Sequence, residues 1–399
     1  MKETVFITNY WDAINYGANL TAYALQQLIE NSMLVDNSDF RQYLGESRYN
    51  FHLNFAKKYL KTSNNYQKVQ DFLNLNNKSN TFIVGSDQVF RPIYTNQMLD
   101  QYLLDFVGEN VKKIAFSASF GVDKEKFLQE NSSETIEHMK TSLKSFDFIS
   151  VREKSGVEIC KDLFGVDAEW IIDPVFILDK TKYENIIKNT TENYSNKIVS
   201  YVLDTNQEYE NAHKYLSKKY NLEVIELANS NESIENWLAA IKNCKFLITD
   251  SFHGMCFAII FNKPFICLSN KQRGASRFES ILEMLDIENQ CIDNINEIYE
   301  KDCIFKIDYE KVNQRITEEA QRGLNFLKKA LESPSGKKEE KIEAKMQFLE
   351  NKVYELEQQA TLKYQIKKEL WYLWLIIFHK YLPNPIKNII RFMRDKICK

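Results

Sequence analysis

The residues whose types and spacing best suit chemistry lie in the stretch LITDSFHGMCFAIIFNKPFICL, residues 247–268. An apolar run predicts a buried strand, which Asp250 and Ser251 end, and His253 follows at or near the amino end of a buried helix. Free N–H groups and the helix dipole at such an end favour a bound anion. An imidazole there can exchange a proton near neutral pH. The stretch therefore predicts an anion site with a proton-transfer group.

The same residues also fit a purely structural interpretation. A lone histidine after a buried strand often only makes a hydrogen bond, and Asp and Ser are common helix caps. We expect the helix to start at Met255 and to end near Asn262, before a strand at residues 265–268. In parallel α/β sheets, ligands bind where loops leave the carboxyl ends of strands. The choice between the two interpretations depends on the rest of the chain.

Several other apolar strands in the first half of the chain are also followed by small or polar residues. The predicted strands begin near residues 81, 112, 148 and 170. The residues that follow them include Ser86 and Asp87, Ser117 and Ser119, Arg152 and Glu153, and Asp173. This arrangement is typical of a parallel sheet with a ligand cleft along its carboxyl edge.

A strand and an amphipathic helix are predicted at the amino terminus. Residues 5–8 form the strand, and the helix at residues 15–29 carries Leu, Ala and Leu at four-residue spacing. Asn15 and Gly17 stand at its start. A glycine loop that opens a helix after a strand can cradle a phosphate, and a capped turn is the alternative.

A second strand–helix series follows after about residue 195 and includes the His253 stretch. We therefore predict an α/β protein of two Rossmann-like domains that face a cleft, residues 1–185 and 186–332, with a C-terminal helical tail. The length of 399 residues agrees with more than one core. Arg273 and Arg277 stand four apart before a further predicted helix. They can hold a phosphate or carboxylate, or be surface charges paired with Glu279.

The tail divides into a linker with a coiled-coil helix, residues 333–369, and an apolar and basic segment, residues 370–399. Apolar residues at spacings of four and three over 342–360 predict a parallel homodimer, with a solitary amphipathic helix as the alternative. The apolar run at 370–378 is too short to span a bilayer. Tryptophans beside basic residues favour peripheral contact with an anionic membrane, and packing against a partner subunit is the rival.

Charge and cysteine usage narrow the class of protein. The net charge of −3 gives no reason to expect a nucleic-acid partner. The seven cysteines show no metal-binding spacing, and most lie in apolar runs, as in a reducing cytosol. The amino terminus has no export signal pattern. We expect a cytoplasmic protein without a metal site, with peripheral contact at the inner face of the plasma membrane through residues 370–399.

Seven stretches resemble, in order, those of the polysaccharide pyruvyl transferase family. They cover residues 5 to 287 and read NYGANLTAYALQQ, VGSDQVF, IAFSASFG, SVREKSG, IDPVF, TDSFHGMCFAIIFNKPF and GASRFESIL. The resemblance implies a fold similar to GT-B glycosyltransferases. It also implies transfer of a carboxyethylidene group from phosphoenolpyruvate to two hydroxyls of a sugar in a cell-surface polysaccharide or its precursor, giving a ketal.

The resemblance implies that His253 is the catalytic histidine and Arg152 the phosphoenolpyruvate-binding arginine. Further substrate-binding residues are expected at Ser86, Ser251, Gly254, Arg273 and Arg277, besides Asn15 and Gly17. Thr21 stands where many members carry glutamine, so acceptor contacts at this end are not carried over. Phosphoenolpyruvate is the donor substrate, and no cofactor is expected.

Two rival functions remain open from sequence. The shared fold also suits a glycosyltransferase that uses a nucleotide sugar, and the tail also suits a non-catalytic component of a capsule-assembly complex. The predicted membrane contact of residues 370–399 favours a lipid-linked sugar acceptor.

Overall fold

The computed structural model describes residues 4–36, 47–66, 68–95, 98–191, 193–228, 232–268, 275–300, 306–336 and 338–358. Two parallel sheets organise these residues. We call the first sheet with its helices the first lobe, and the second sheet with its helices the second lobe.

The first lobe contains a seven-stranded parallel sheet in the order β3-β2-β1-β4-β5-β6-β7. Its strands are β1 (Val5–Thr8), β2 (Ser32–Asp36), β3 (Thr62–Asn65), β4 (Thr81–Val84), β5 (Lys112–Ala118), β6 (Phe148–Val151) and β7 (Glu169–Trp170). β5 is buried along its whole length, because helices cover both faces of the sheet.

The helices of the first lobe connect these strands or follow the last of them. They are α1 (Tyr16–Leu28), α2 (Ser47–Tyr59), α3 (Val69–Leu75), α4 (Pro92–Thr95), α5 (Leu99–Tyr102), α6 (Lys124–Glu130), α7 (Ser133–Lys144), α8 (Lys154–Ile159), α9 (Pro174–Ile177) and α10 (Lys180–Ile187). Side-chain caps start several of them: Asn15 accepts from Ala18 N, and Asp173 accepts from Val175 N.

The second lobe contains a five-stranded parallel sheet in the order β12-β11-β10-β8-β9. Its strands are β8 (Lys197–Tyr201), β9 (Glu223–Glu226), β10 (Phe246–Thr249), β11 (Phe265–Leu268) and β12 (Cys291–Ile292). Its helices are α11 (Gln207–Tyr220), α12 (Ile234–Asn243), α13 (Phe252–Ile260) and α14 (Ala275–Leu285). The central strand β10 and the helix α13 that follows it are entirely buried.

The chain then returns to the first lobe through α15 (Tyr309–Glu332) and α16 (Lys338–Gln358). Phe326 of α15 lies 5.9 Å from Phe116 of β5, ring centroid to centroid. In α16, Phe348 and Leu349 belong to the core of the first lobe, and the Lys341 ammonium lies 2.6 Å from the Asp147 carboxylate. The return therefore fastens the C-terminal helices to the first lobe.

The predicted coiled-coil seam is only partly covered by the chain itself. Leu349 is buried against the first lobe, whereas Ile342 and Met346 are partly exposed. Ala360 and the segment 370–399 lie outside the described residues, so the homodimer and the membrane contact stay predictions. Across the described residues we find no helix with the length and apolar character needed to span a bilayer.

The α/β class with two parallel sheets is confirmed, and two local predictions are wrong. The strands β2 and β3 were not predicted; β3 reads TSNN and has no apolar pattern. The helix of the His253 stretch begins at Phe252, not Met255, because Ser251 caps it. The strand expected from Trp170 onward ends at Trp170, because Asp173 starts α9 soon after it.

Candidate active site

A cavity of about 330 Å³ lies between the two lobes, where loops leave the carboxyl ends of strands in both sheets. The first lobe contributes Asn15 and Asp87 among other residues, and the second contributes Ser251, His253 and Arg277. Ligands bind at this edge in open parallel sheets. The cavity therefore brings together candidate residues from distant parts of the sequence.

His253 is the second residue of α13 and is buried, with 6% of its surface exposed. Its Nε2 atom lies 3.0 Å from the Thr21 hydroxyl oxygen and 3.7 Å from Oδ2 of Asp173. Both partners belong to the first lobe. The imidazole of the second lobe is thus held by groups from the first.

Gly17 and Asn15 lie at the start of α1, beside His253. A Cβ atom at position 17 would overlap the imidazole, with Nδ1 as the nearest atom. The glycine therefore lets the ring lie directly against the α1 backbone. Asn15 caps the same helix by accepting from Ala18 N at 3.1 Å, and it also lines the cavity. The amino ends of α1 and α13 thus lie at one cavity.

Ser251 and Gly254 shape the first turn of α13. The Ser251 hydroxyl accepts from the Gly254 N–H at 3.3 Å, so it caps the helix. A Cβ atom at position 254 would lie 2.6 Å from the Thr249 hydroxyl oxygen, so only glycine fits there without a shift. Of the two, Ser251 lines the cavity.

Arg152 is fully buried and bridges two carboxylates. Its guanidinium donates to Oδ2 of Asp173 at 2.5 Å and to Oδ1 of Asp87 at 2.8 Å. It also lies 4.7 Å from the centre of the Phe252 ring, and Arg277 lies 5.1 Å from the same ring. Arg277 and Asp87 line the cavity, whereas Arg152 is not among the lining residues. Of these two arginines, Arg277 is therefore the one with direct access to a bound anion.

Charges around Phe252 shift several pKa values. Burial alone would raise the pKa values of Asp87 and Asp173, but Arg152 and His253 outweigh it, so both lie below their usual value. Burial, and next to it the neighbouring charge of Arg152, lower the pKa of Arg277 to about 10. At neutral pH the two aspartates are ionised and both arginines are charged.

The remaining predicted residues have different positions. Ser86 is fully buried, and its hydroxyl lies 2.6 Å from the Ser117 carbonyl oxygen and 3.3 Å from Oδ2 of Asp173. It therefore supports Asp173 and does not line the cavity. Arg273 lies outside the described residues.

Sequence reasoning did not select Asp87, Asp173 or Thr21 as site residues. Asp87 has a φ of 85°, which is uncommon for a residue with a side chain and often marks a functional position. The local sequence signal for the two aspartates was only that polar residues follow strands. The sequence signal for Thr21 was that many members of the family that the chain resembles have glutamine at this position.

One other group in the described part of the chain has the composition of a metal site. It consists of Asp100, Asp105 and His138, all in the first lobe and away from the cavity residues. The Lys352 ammonium lies 3.1 Å from the Asp100 carboxylate, and the His138 ring lies 2.9 Å from that of Asp105. The chain itself thus supplies a cation to this group, in agreement with a structural role.

The fold and the position of the cavity define the structural class of the protein. Two parallel sheets with a cavity at their facing carboxyl edges are GT-B-like. UDP-GlcNAc 2-epimerase from Neisseria meningitidis bound to UDP-GlcNAc has a TM-score of 0.50 and 12% identity, over 83% of this chain and 99% of that one. S. aureus MnaA in its UDP co-structure has a TM-score of 0.48 and 16% identity, over 84% and 100%. These likenesses concern the fold alone.

Comparison with curated proteins gives no sequence match. The profile of the polysaccharide pyruvyl transferase family matches residues 15–272, which include strands of both sheets. The chain belongs to the polysaccharide pyruvyl transferase family and is therefore a transferase.

Proposed function

We propose that the chain transfers the carboxyethylidene group of phosphoenolpyruvate to two hydroxyls of one sugar, forming a cyclic ketal. The observation that carries the proposal is the position of His253 and Arg277 at one cavity, with the amino ends of α1 and α13. The sugar belongs to a cell-surface polysaccharide or its precursor. A lipid-linked precursor remains part of the proposal because of the apolar and basic segment 370–399.

The cavity has the groups that a small molecule with a phosphate and a carboxylate needs. Arg277 offers a charged fork of N–H donors, and the two helix starts offer backbone N–H groups with a favourable dipole. Asp87 and Asp250 line the same cavity with carboxylates. Carboxylates disfavour a nearby anion but accept hydrogen bonds from sugar hydroxyls. We therefore assign the anionic donor to Arg277 and the two helix starts, and the hydroxyls of the sugar to the lining carboxylates.

The reaction requires an addition and then a substitution at the same carbon. His253 donates a proton to the methylene carbon of phosphoenolpyruvate, and the first hydroxyl oxygen bonds to the central carbon and returns its proton to His253. The second hydroxyl oxygen then bonds to that carbon as the C–O bond to phosphate breaks. Its proton leaves with the phosphate, so the products are the ketal and hydrogen phosphate.

The test is incubation with phosphoenolpyruvate and a panel of nucleotide-linked and lipid-linked sugars, with products read by mass and phosphate measured. We expect a product heavier than the acceptor by one carboxyethylidene group, with equimolar phosphate. Release of a nucleoside diphosphate without phosphoenolpyruvate consumption would support a glycosyltransferase instead.

His253→Ala should abolish this turnover while leaving the unfolding midpoint close to that of the wild type. The matched control is His213→Gln, a substitution of another buried histidine of the second lobe, which contacts Ser200 and Glu226 outside the cavity. The control should keep its turnover. Wild-type-like turnover by His253→Ala would remove His253 from the mechanism.

A further inference from the structure

We propose that Asp173 is the positioning residue of His253: it keeps the ring proton on Nε2, so that Nδ1 is the nitrogen that exchanges a proton with substrate. The first part concerns the free protein and needs no assumption about its reaction. The second part rests on the proposed function.

The carboxylate of Asp173 lies where it can act on the ring of His253. The residue is 2% exposed, and Oδ2 lies 3.7 Å from Nε2. Its other oxygen accepts from Val175 N at 3.1 Å, which fixes the carboxylate at the start of α9. Arg152 and Ser86 hold Oδ2 in place from the other side, at 2.5 Å and 3.3 Å. The orientation of Asp173 is therefore set by the first lobe alone.

The position of Asp173 favours one of the two neutral forms of the imidazole. If Nε2 carried the lone pair, two electron-rich groups would face each other across 3.7 Å in a buried site. If Nε2 carries the proton, the N–H points toward the carboxylate and can donate to the Thr21 hydroxyl at 3.0 Å. A neighbouring group that interacts with one nitrogen of an imidazole commonly determines which of the two nitrogens carries the proton.

The remaining nitrogen, Nδ1, lies against the start of α1, where it is the ring atom nearest to the missing Cβ of Gly17. Asn15 and Ala18 of the same helix start line the cavity, as does His253 itself. Within the described residues we find no hydrogen-bond partner for Nδ1. We therefore assign its lone pair to a molecule bound in the cavity. In the proposed reaction, Nδ1–H protonates the methylene carbon, and Nδ1 then takes the proton of the first attacking hydroxyl.

Nitrogen NMR of ¹⁵N-histidine-labelled full-length protein tests the first part directly, because the two neutral forms have different nitrogen shifts. The chain has five histidines, and comparison with His253→Gln identifies the signal of His253. The pH is raised until the nitrogen shifts no longer change, and in this neutral state we expect the Nε2–H form in the wild type. A predominant Nδ1–H form would overturn the proposal.

Asp173→Asn provides the second readout, with Asp162→Asn as the matched control. Asp162 is a half-exposed carboxylate of the same lobe that pairs with Lys124. In Asp173→Asn we expect a mixture of the two neutral forms, and in the control the wild-type form. An unchanged Nε2–H form in Asp173→Asn would assign the effect to Thr21 and overturn the role of Asp173. The wild-type spectrum keeps the proposal testable if Asp173→Asn does not fold.

Kinetics separate this inference from the proposed function. If pyruvyl transfer is found, Asp173→Asn should lower kcat by about 10²–10⁴-fold, because part of the ring is in the wrong neutral form and the carboxylate no longer stabilises the charged imidazole during proton transfer. An Asp173→Asn variant with mixed tautomers and wild-type kcat would refute the role of Nδ1. Absence of any pyruvyl transfer by the wild type would refute the proposed function, while the NMR result would still decide which nitrogen carries the proton.

Discussion

Replacement of Gly17 by alanine is the sharpest perturbation that the site allows. The added methyl group would overlap Nδ1 and Cγ of His253 and lie 2.7 Å from its Cβ atom. An ordinary contact between such atoms is about 3.5–4.0 Å, so the ring must move by on the order of 1 Å. Rotation of the ring can relieve the overlaps with Nδ1 and Cγ, whereas the contact with Cβ also requires a small shift of the backbone of α1 or α13.

Two opposing effects act on stability in Gly17→Ala. Alanine in a helix is favoured over glycine by about 1 kcal/mol. Overpacking of a buried position costs about 1–3 kcal/mol. The net loss of unfolding free energy should therefore be about 0–2 kcal/mol, which leaves a folded protein. Urea unfolding followed by fluorescence would measure it.

The effect on turnover should be larger than the effect on stability. A misplacement of about 1 Å in a catalytic group costs about 100-fold in rate, which corresponds to about 3 kcal/mol in activation free energy. The assay is phosphate release from phosphoenolpyruvate with the acceptor found in the panel. The control is Gly336→Ala, where the new methyl group would meet its nearest neighbour, Oδ1 of Asp147, at 3.5 Å. Wild-type kcat in folded Gly17→Ala would refute the proposed placement of His253 in the reaction.

Three further outcomes are expected. Arg277→Ala should weaken phosphoenolpyruvate binding by about 10-fold or more, since it removes a charge-assisted contact; calorimetry would measure this, and equal affinity would exclude Arg277 from the anion site. Lys113→Met should raise the unfolding free energy at pH 7, and this gain should shrink as the pH rises from about 8 towards 10.5. Burial lowers the pKa of Lys113 to about 8, so the folded protein binds fewer protons than the unfolded chain in that range. Urea unfolding at several pH values checks both points, and a gain that grows with pH would contradict them. The full chain should sediment with phosphatidylglycerol vesicles, whereas a chain ending at Gln358 should not; equal sedimentation would show that residues 359–399 do not bind the membrane.

The central strands were predictable because burial leaves a simple trace in the sequence. β4, β6 and β10 are short apolar runs that end at polar residues, and the structure has them at residues 81–84, 148–151 and 246–249. The edge strand β3 has no such trace, since its TSNN sequence is partly or fully exposed. Strand pairing at an edge depends on the neighbouring strand and not on a local apolar pattern.

The site was predictable in its elements but not in its contacts. The polar residues after each strand placed Asp173 at the carboxyl edge of the first sheet and His253 at that of the second, yet each edge carries many such residues. Which of them meet depends on how the second lobe lies against the first, and local sequence does not contain that information. The contact between Thr21 and His253 joins residues 232 positions apart. Gly17 was expected as part of a phosphate cradle, whereas its lack of a side chain makes room for the ring of His253.

The return of the C-terminal helices to the first lobe limits how the cavity can open. The chain passes between the lobes once after α10 and a second time through α15, whose Phe326 is anchored at β5. Two polypeptide connections between the same two lobes restrict the rotation of one lobe relative to the other. A buried apolar core that both lobes share adds to these two connections, with Tyr16 of the first lobe stacked on Trp237 of the second at 5.1 Å. The contacts of His253 with Asp173 and Thr21 should therefore persist while substrate enters and product leaves.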